Sequence, residues 1–431
     1  MAHQVSQIRE REDVRVVWTT RLIARALTCM LAVSAANATD LIVYHNWASP
    51  AEMAALNVLR DAVEARGHRW VPLAIPHDAN GDIDVLGLIE AGAKPNVFLQ
   101  LQPDIYRTLE QDGLVLHMDE QFAGSGVLEQ LPQVVRDAIT IDGAIIKTPA
   151  TIHADAMIYY SRAVAEAAGV DPESWTSLDD MWADFAAVKA AGFQPIAIGA
   201  QPWQVGYLTH ALVASLGGPG VYAGLYGDVA DPAVLDDTSL LDVFAWLRRF
   251  QQEADPAAVG RDWNLATNQV INGEALLQLQ GDWMKGEWLA AGKTEAADFG
   301  CRFVPGAAHL PVTVDSWGLL GGVSPEVEAA ERAFADALVD PDVQARFAAA
   351  KGSTPVRLDM RQAIDVCSQK VLTALDEADF ARPTPHLTAP PSWVIAVWGV
   401  ANSYWNDPAM TPADAIAGLK AALAIHRAAA G

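Results

Sequence analysis

Short apolar runs alternate with helix-length amphipathic stretches over the first hundred residues of the chain. The runs Leu41–Tyr44, Trp70–Ile75 and Asn96–Leu101 are typical of buried strands. Between them, Glu52–Arg66 places its apolar residues on one helical face, and Ile83–Ala91 is a second helical stretch. This alternation predicts an open, mostly parallel sheet that is covered by helices.

The same alternation starts again near Thr151. Ala156–Tyr160 and Pro195–Gly199 are predicted strands, and Leu178–Ala191 is a predicted helix whose start carries a Ser177 to Asp180 capping box. Further elements are predicted along the rest of the chain: a helix at Ser239–Glu253, a short helix opened by Asp262 and ending at Gly273, strands at Ala275–Leu279 and Val312–Leu320, and helices at Pro325–Leu338, Pro341–Ala350, Trp393–Trp405 and Pro412–Ala429. The pattern therefore indicates an α/β protein with two such units.

Length and charge narrow the class of protein. A chain of 431 residues is too long for one ordinary core, so two lobes are expected. The formal net charge of −24 opposes binding to nucleic acid, because phosphates are repelled from most of such a surface. No HExxH, CxxC, P-loop or G-x-S-x-G motif indicates metal, redox, nucleotide or acyl chemistry, so no cofactor is expected.

Residues 1–38 resemble a secretory signal peptide. Five arginines precede the apolar, small-residue run Ala26–Ala36, and Ala36-Asn37-Ala38 fits an A-x-A cleavage pattern. No later apolar run reaches the ~20 residues that span a bilayer. Two cysteines remain after this segment, Cys301 and Cys367, and the sequence leaves open whether they pair or are two buried thiols.

The candidate binding chemistry centres on the stretch Gln278–Trp288. Gly281 ends a predicted strand where Asp282 and Trp283 occur together. A carboxylate can accept hydrogen bonds from two hydroxyls while an indole covers the C–H face of a sugar ring. The alternative is structural, with Trp283 as a core anchor and Asp282 as a cap for the next helix.

Similar polar and aromatic residues recur elsewhere in the chain, several of them at predicted strand ends, where the ligand crevice of an open α/β sheet lies. These further candidates are Trp47, Glu52, Gln100, Gln102, Trp203, Gln204, Trp263 and Asp315. Glu52 and Asp315 can alternatively serve a helix cap and a turn. Gln100 and Gln102 both lie at the end of the third predicted strand, and the sequence leaves open which of them points inward.

Six stretches of the chain together resemble the sugar-binding members of the bacterial extracellular solute-binding proteins (family 1) that feed ABC importers, in particular the glucose and monosaccharide binders. They are N-W-A-S-P-A-E-M at 46–53, T-I-H-A-D-A-M-I-Y-Y at 151–160, A-A-G-F-Q-P-I-A-I-G-A-Q-P-W-Q at 190–204, N-G-E-A-L-L-Q-L-Q-G-D-W-M-K-G-E at 272–287, V-D-S-W-G-L at 314–319 and K-G-S-T-P-V-R at 351–357. The resemblance covers nearly all of the chain after the signal segment.

The resemblance implies two lobes joined by a hinge, with a neutral sugar such as glucose enclosed between them and delivered to the membrane subunits of an ABC permease. The N-terminal lobe is expected to comprise 39–150 and 311–355, and the C-terminal lobe 151–310 and 356–431. By the family pattern, Trp47 and Glu52 form one wall, Trp203 and Trp263 stack on the ligand, and Asp282, Asp315, Lys351 and His386 contact its hydroxyls. A periplasmic monomer without enzymatic activity is expected.

Three alternatives remain at this point. Lys351 lies near a predicted helix end and can instead offset that helix's dipole, and His386 can be an ordinary loop histidine. The ligand can be an oligosaccharide or a polyol. A secreted glycoside hydrolase is the enzymatic alternative, since Glu52, Asp282 and Asp315 include the two carboxylates that such chemistry needs.

Overall fold

The computed structural model describes residues 38–75, 85–361, 364–377 and 380–430. Residues 1–37 of the predicted signal peptide and residues 83–84 of the predicted helix Ile83–Ala91 lie outside these ranges. From Asp40 onward the chain forms one compact unit.

Twelve strands are present among the described residues, and most of them follow apolar runs of the sequence. They are β1 (Asp40–His45), β2 (Arg69–Ala74), β3 (Val97–Leu99), β4 (Thr140–Ile141), β5 (Ala144–Ile145), β6 (Thr148–Ala154), β7 (Met157–Ser161), β8 (Gln194–Ile196), β9 (Ala275–Gln280), β10 (Phe299–Phe303), β11 (Leu310–Leu319) and β12 (Ala381–Pro383).

The α-helices of the described residues cover both sheets. They are α1 (Pro50–Ala65), α2 (Val85–Glu90), α3 (Pro103–Gln111), α4 (Asp119–Ser125), α5 (Gln133–Ile139), α6 (Arg162–Ala168), α7 (Leu178–Ala190), α8 (Pro202–Leu212), α9 (Gly218–Leu225), α10 (Ser239–Glu253), α11 (Trp263–Ile271), α12 (Met284–Ala290), α13 (Pro325–Val339), α14 (Pro341–Lys351), α15 (Val366–Asp376), α16 (Pro385–Thr388), α17 (Pro391–Asn406) and α18 (Pro412–Ala430). A π-helical segment, Val213–Gly217, joins α8 to α9.

The strands form two main sheets. The first has the order β12-β11-β3-β1-β2, with β6 paired to β11, and the second has the order β10-β7-β9-β8. The predicted α/β class with two sheet-containing lobes is confirmed by this arrangement. Both sheets are mixed, however, and the second contains one parallel pair (β8 with β9) and two antiparallel pairs.

The expectation of mostly parallel strands is therefore wrong for the second sheet. The reason is the direction in which each strand meets the junction of the two sheets. β7 follows β6 directly and so begins at the junction, whereas β9 ends in the turn at Asp282, whose N–H bonds to Ala154, and β10 leads into β11. β9 and β10 therefore run towards the junction and lie antiparallel to β7, which runs away from it.

Three segments that pass between the sheets run side by side. The backbone N–H of Asp155 donates to the carbonyl of Pro311, and Ile152 exchanges backbone hydrogen bonds with Thr354. The backbone N–H of Asp282 donates to the carbonyl of Ala154, at the end of β6. This bundle brings the ends of β6, β9 and β11 and the segment after α14 to one place, although the lobe boundaries themselves stay a prediction.

Cys301 on β10 and Cys367 on α15 form a disulfide. The sequence had left open whether these two cysteines pair or are two buried thiols. Both residues are buried. Within the described part of the chain, no helix is both long and apolar enough to span a bilayer.

Candidate functional site

Asp282 and Trp283 follow β9 in a tight turn at the junction of the two sheets. A Cβ atom on Gly281 would lie 2.1–2.4 Å from the ring of Trp283, so glycine is needed for the indole to fold back over the turn. α12 then begins at Met284 without a side-chain cap. The carboxylate of Asp282 is therefore not a helix cap, which was the structural alternative for this residue.

His153 lies between the two candidate aspartates. Its Nδ1 atom is 2.5 Å from Oδ1 of Asp282, and its Nε2 atom is 3.1 Å from Oδ2 of Asp315. β6 contributes the histidine, β11 contributes Asp315 directly across the pair from Thr151, and the turn after β9 contributes Asp282. The first sheet and the second sheet thus meet in one buried cluster of three charged groups.

The two carboxylates keep the imidazole charged. Burial by itself would lower the pKa of His153, but the negative charges of Asp282 and Asp315 more than offset it and raise the pKa to about 9. Burial also opposes ionisation of Asp315, yet the nearby charge of His153 holds the pKa of that carboxyl below its usual value. At neutral pH the cluster contains an imidazolium with ionised Asp315 as an acceptor.

One acceptor in this cluster is left without a donor. Asp282 is 2% exposed, and no hydrogen-bond donor among the described residues reaches its second oxygen, Oδ2. An unpaired oxygen on a buried carboxylate costs free energy, on the order of 1–3 kcal/mol. An unpaired acceptor of this kind needs a donor from outside the protein, such as water or a ligand hydroxyl, to recover that free energy.

Lys351, Glu52 and Trp47 form a second group beside the cluster. Lys351, the last residue of α14, places Nζ 3.7 Å from Oε1 of Glu52 and 4.8 Å from the ring centroid of Trp47. The other oxygen of Glu52 accepts from the backbone N–H groups of Ala48 and Ser49. Glu52 thus forms the capping box of α1 that was considered as its alternative, and one of its oxygens still faces a charged partner.

Trp47 is more enclosed than the sequence suggested. It is 6% exposed, and its ring packs edge-on against Trp317 at 5.7 Å between centroids and in a tilted contact with Phe347 at 6.1 Å. Its ring therefore belongs to the core of the first lobe as well as lying under Lys351.

The remaining aromatic candidates assemble around Tyr207. The ring of Trp283 packs edge-on against His153 at 5.3 Å and against Tyr207 at 5.7 Å. Trp203 packs edge-on against Tyr207 at 5.8 Å, and His386 stacks on Tyr207 at 5.6 Å. Three predicted site residues, Trp203, Trp283 and His386, are thereby brought together by a tyrosine of α8.

His386 is a neutral group in this setting. Burial lowers its pKa to about 4, so the imidazole is uncharged at neutral pH. An edge-on contact with Trp398 at 5.1 Å holds the ring from the other side. His386 can therefore act as a donor or an acceptor towards a hydroxyl without adding charge.

The glutamines are placed differently from one another. The side-chain nitrogen of Gln100 is buried and has no partner among the described residues, whereas Gln102 is half-buried at the start of α3. Both amide atoms of Gln204 are used within the protein, since Nε2 donates to Gln201 and Arg261 and Oε1 accepts from Gln280. The structure therefore distinguishes Gln100 as the residue with a free donor and gives Gln204 protein partners.

Trp263 begins α11, some distance along the chain from the other candidates. Its carbonyl accepts from the hydroxyl of Thr267 and from the amide of Gln278, and its side chain is half-buried. Gln278 belongs to β9, so Trp263 is tied to the same strand that leads into Asp282.

Sequence reasoning missed His153 and Tyr207 as functional candidates. His153 is a histidine inside the buried strand β6, and an ionisable residue in an apolar strand is a usable signal. Tyr207 lies within a helix that was not predicted, one turn after Trp203 and on the same face. No set of three or more His, Cys, Asp or Glu residues that fits a metal ion is found in the described ranges.

Residues 80–374 match the sequence model of a protein family described as bacterial extracellular solute-binding protein. A probable sugar-binding periplasmic protein from Mesorhizobium japonicum is 31% identical over 419 residues, which is 93% of this chain and 98% of the relative. A protein with the same description from Rhizobium meliloti is 32% identical and covers 85% of this chain and 87% of its own length.

Solved structures show the same fold at low sequence identity. A chitin oligosaccharide binding protein superposes with a TM-score of 0.77 at 18% identity, and the match covers 92% of this chain and 100% of the other. A solute receptor described as having an exclusive preference for β-D-galactopyranose superposes with a TM-score of 0.75 at 15% identity, covering 91% and 99%. At such identities the likeness concerns the fold alone.

Proposed function

Because this chain belongs to the bacterial extracellular solute-binding proteins, we propose that it binds a neutral sugar between its two lobes and delivers it to an ABC permease. Its relatives are described as sugar-binding periplasmic proteins, which supports the choice of ligand class and of compartment. The protein acts as a monomer in the periplasm in this proposal, and its partners are the membrane subunits of the permease.

The observation that carries the proposal is the unpaired Oδ2 atom of Asp282. This oxygen belongs to a buried carboxylate, it lies where the two sheets meet, and the indole of the next residue packs against the same histidine. A sugar offers hydroxyl donors for the oxygen and a C–H face for an aromatic ring. A hydrogen bond from a hydroxyl to this carboxylate contributes about 1.5–3 kcal/mol.

The charges of the site favour a neutral ligand. The cations His153 and Lys351 each have a protein carboxylate beside them, Asp282 and Asp315 for the histidine and Glu52 for the lysine. A phosphorylated or carboxylated solute would have to compete with these carboxylates for the same cations. A neutral polyhydroxy solute only needs donors and acceptors, which the same groups supply.

The site residues in the proposal divide by the part of the ligand that they contact. Asp282, Asp315, Lys351, Glu52, His386 and Gln100 bind hydroxyls, and Gln100 is preferred to Gln102 because its buried amide nitrogen has no partner in the described residues. Trp203, Trp263 and Trp283 cover apolar faces of the ligand. Trp47 orients Lys351 through the contact of its ring with the ammonium group.

Binding drives closure in this account because the ligand contacts come from both sheets. Glu52 and Lys351 lie on α1 and α14, which follow strands of the first sheet, while Trp203 and Trp263 lie at the starts of α8 and α11, which precede β9 of the second. A ligand that touches both sets has more contacts in the closed state than in the open state, and so it shifts the population towards closure. The closed form is then what the permease recognises.

A monosaccharide such as glucose is the preferred ligand. Asp282, Asp315 and Lys351 are each at most 8% exposed, which suits a guest of one ring better than a chain that must leave the cleft. The structural neighbours also include a protein that binds chitin oligosaccharides and one with bound D-mannitol, so an oligosaccharide or a polyol is the second candidate.

A glycoside hydrolase finds less support in the geometry. Such an enzyme needs one carboxyl group with a raised pKa to protonate the leaving oxygen. The pKa of Asp315 is instead lowered by the charge of His153, which makes this residue a poor acid. The family assignment also favours binding over hydrolysis.

Calorimetric titration of the purified protein with monosaccharides, disaccharides and polyols tests the proposal. We expect one monosaccharide to bind with a dissociation constant of about 1 μM, or about −8 kcal/mol. If a disaccharide or a polyol binds most tightly, that solute is the ligand instead of a monosaccharide. The appearance of reducing ends on incubation with oligosaccharides would indicate a hydrolase. An absence of heat with every solute would overturn the proposal.

A further inference from the structure

Three glutamine side chains form a continuous hydrogen-bonded chain between two of the tryptophans. Trp283 Nε1 donates to Oε1 of Gln280 at 3.1 Å, and Nε2 of Gln280 donates to Oε1 of Gln204 at 3.2 Å. Nε2 of Gln204 then donates to Oε1 of Gln201 at 2.9 Å, the same oxygen that accepts from Nε1 of Trp203 at 2.9 Å. We call Gln201, Gln204 and Gln280 the amide relay.

The direction of every bond in the amide relay is fixed by its ends. An indole N–H can only donate, so the oxygen of Gln280 must face Trp283 and its NH₂ group must face Gln204. The NH₂ group of Gln204 in turn meets the carbonyl of Arg261, which can only accept. The chain therefore has one consistent orientation, and a reversed amide would place two donors or two acceptors opposite each other.

The amide relay ends on a charged acceptor. Nε2 of Gln201 donates to Oδ1 of Asp262 at 2.7 Å, and Asp262 immediately precedes Trp263 at the start of α11. Bonds to a carboxylate are stronger than neutral ones, and they polarise the amides that precede them. The relay thus runs from the turn after β9, through the start of α8, to the start of α11, and it touches or adjoins three predicted stacking tryptophans.

Burial of this many amides needs a reason. Gln204 is 4% exposed and Gln280 is 5% exposed. Burying an amide costs about 1–3 kcal/mol unless its hydrogen bonds are replaced, and a leucine of similar volume would fill the same space without that requirement. Apolar residues would pack the lobe, but they would leave the N–H of each indole without the acceptor that now fixes its direction.

We propose that the amide relay is a positioning device that holds the rings of Trp203 and Trp283 in one fixed mutual orientation, so that both are ready to cover a sugar before it arrives. Tyr207 lies between the two indoles and forms the steric part of the same device. A ring that is already oriented loses less conformational entropy when the ligand binds, and the affinity rises accordingly. The effect on affinity rests on the proposed function, whereas the effect on the rings does not.

The first test therefore uses the ligand-free protein. The indole N–H signals of ¹⁵N-labelled protein are compared between wild type, Gln280→Leu and Gln194→Leu. Gln194 is the matched control, because it is a glutamine of the same sheet whose amide donates to the carbonyl of Ile196 and to no tryptophan in the described contacts. We expect hydrogen exchange at Nε1 of Trp283 to quicken about tenfold in Gln280→Leu only. Unchanged exchange in that variant would overturn the proposal.

The second test is a double-mutant cycle with the best-binding sugar. Gln280→Leu is expected to weaken binding about tenfold in the wild-type background but less than about twofold in a Trp283→Phe background, since phenylalanine has no N–H for Gln280 to hold. Gln280→Glu keeps an acceptor towards Trp283 and is expected to recover part of the affinity. Equal losses in both backgrounds would show that Gln280 does not act through Trp283 and would overturn the proposal.

These two readouts separate failure of the relay from failure of the sugar-binding proposal. If no sugar binds, the exchange of the Trp283 N–H still decides whether the relay holds the ring. If Gln280→Leu does not fold, Gln280→Met and Gln204→Leu replace it, with the same expectation that exchange at Trp283 quickens when the chain of amides is broken.

Discussion

The carboxylate of Glu287 on α12, the helix between β9 and β10 of the second sheet, accepts a hydrogen bond at 3.2 Å from the backbone N–H of Ala51 on α1, the helix after β1 of the first. Close packing surrounds this bond, since a Cβ on Gly286 would lie 2.6 Å from the carbonyl oxygen of Lys351. Glu287 thus joins the two sheets beside Glu52 and Lys351. Burial raises the pKa of its carboxyl.

Glu287→Ala is expected to weaken sugar binding about tenfold, or about 1.4 kcal/mol, because the closed state loses a bond that joins α12 to α1. Glu287→Gln keeps an acceptor for the Ala51 N–H and is expected to lose less than about threefold. Calorimetry measures the affinities, and small-angle scattering with saturating ligand measures closure. Equal affinity in wild type, Glu287→Ala and Glu287→Gln would mean that the bond between Glu287 and Ala51 does not contribute to closure.

Asp282→Asn is expected to weaken sugar binding at least about tenfold, since the hydroxyl then meets a neutral amide instead of a carboxylate. Asparagine retains an oxygen for His153, so the fold is expected to survive. The matched control is Asp228→Asn, an exposed carboxylate of the second lobe, which should bind like wild type. Wild-type affinity in the Asp282 variant would remove this residue from the site.

The ion pairs of His153 predict a dependence of stability on pH. Its pKa is raised from an ordinary 6.5 to about 9, so the stabilisation is fully present below about 6.5 and is lost as the pH rises through 9. The loss is on the order of 3 kcal/mol, since each pKa unit corresponds to ~1.4 kcal/mol. Thermal unfolding of ligand-free protein between pH 6 and pH 10 measures it. A His153→Gln variant with an equally steep decline would contradict the assignment.

Glu331 of α13 also makes the free energy of unfolding fall as the pH rises. Its contribution must be measured separately from that of His153. Glu331 is fully buried, no donor in the described ranges reaches either oxygen, and burial raises the pKa of its carboxyl from 4.5 to about 9. A carboxyl that is held protonated costs more free energy as the pH rises from 4.5 towards 9.

Glu331→Gln is therefore expected to raise the free energy of unfolding by at least about 1 kcal/mol at pH 8 and to change it little at pH 5. Asp336→Asn, an exposed change on the same helix, is the control and should show no such pH dependence. Chemical denaturation at the two pH values provides the measurement. A gain of equal size at pH 5 would mean that ionisation of Glu331 is not the cause.

The helices and strands that the sequence predicted best have one clear period of hydrophobic residues and clear signals at their ends. The helix at Glu52–Arg66 is observed as Pro50–Ala65, where Ser49 and Glu52 form the capping box, and the strand before Asp282 is observed at Ala275–Gln280. β6 and α8 were missed, because both are buried on nearly all sides and show no polar face.

The site was predictable where a residue's local motif carries its chemistry, as for Asp282 with Trp283. It was not predictable where the role depends on long-range partners. His153 acts through aspartates that lie 129 and 162 positions away, and Gln204 meets Gln280 across 76 positions. Spacing along the chain contains no information on such distances in space, so the histidine and the function of the glutamines emerged only from the fold.

A crystal structure with the tightest-binding sugar tests the central claim most directly. We expect a ligand hydroxyl about 2.7 Å from Oδ2 of Asp282 and the sugar ring against Trp283. A ligand that binds elsewhere, with Oδ2 of Asp282 still unpaired, would contradict the account.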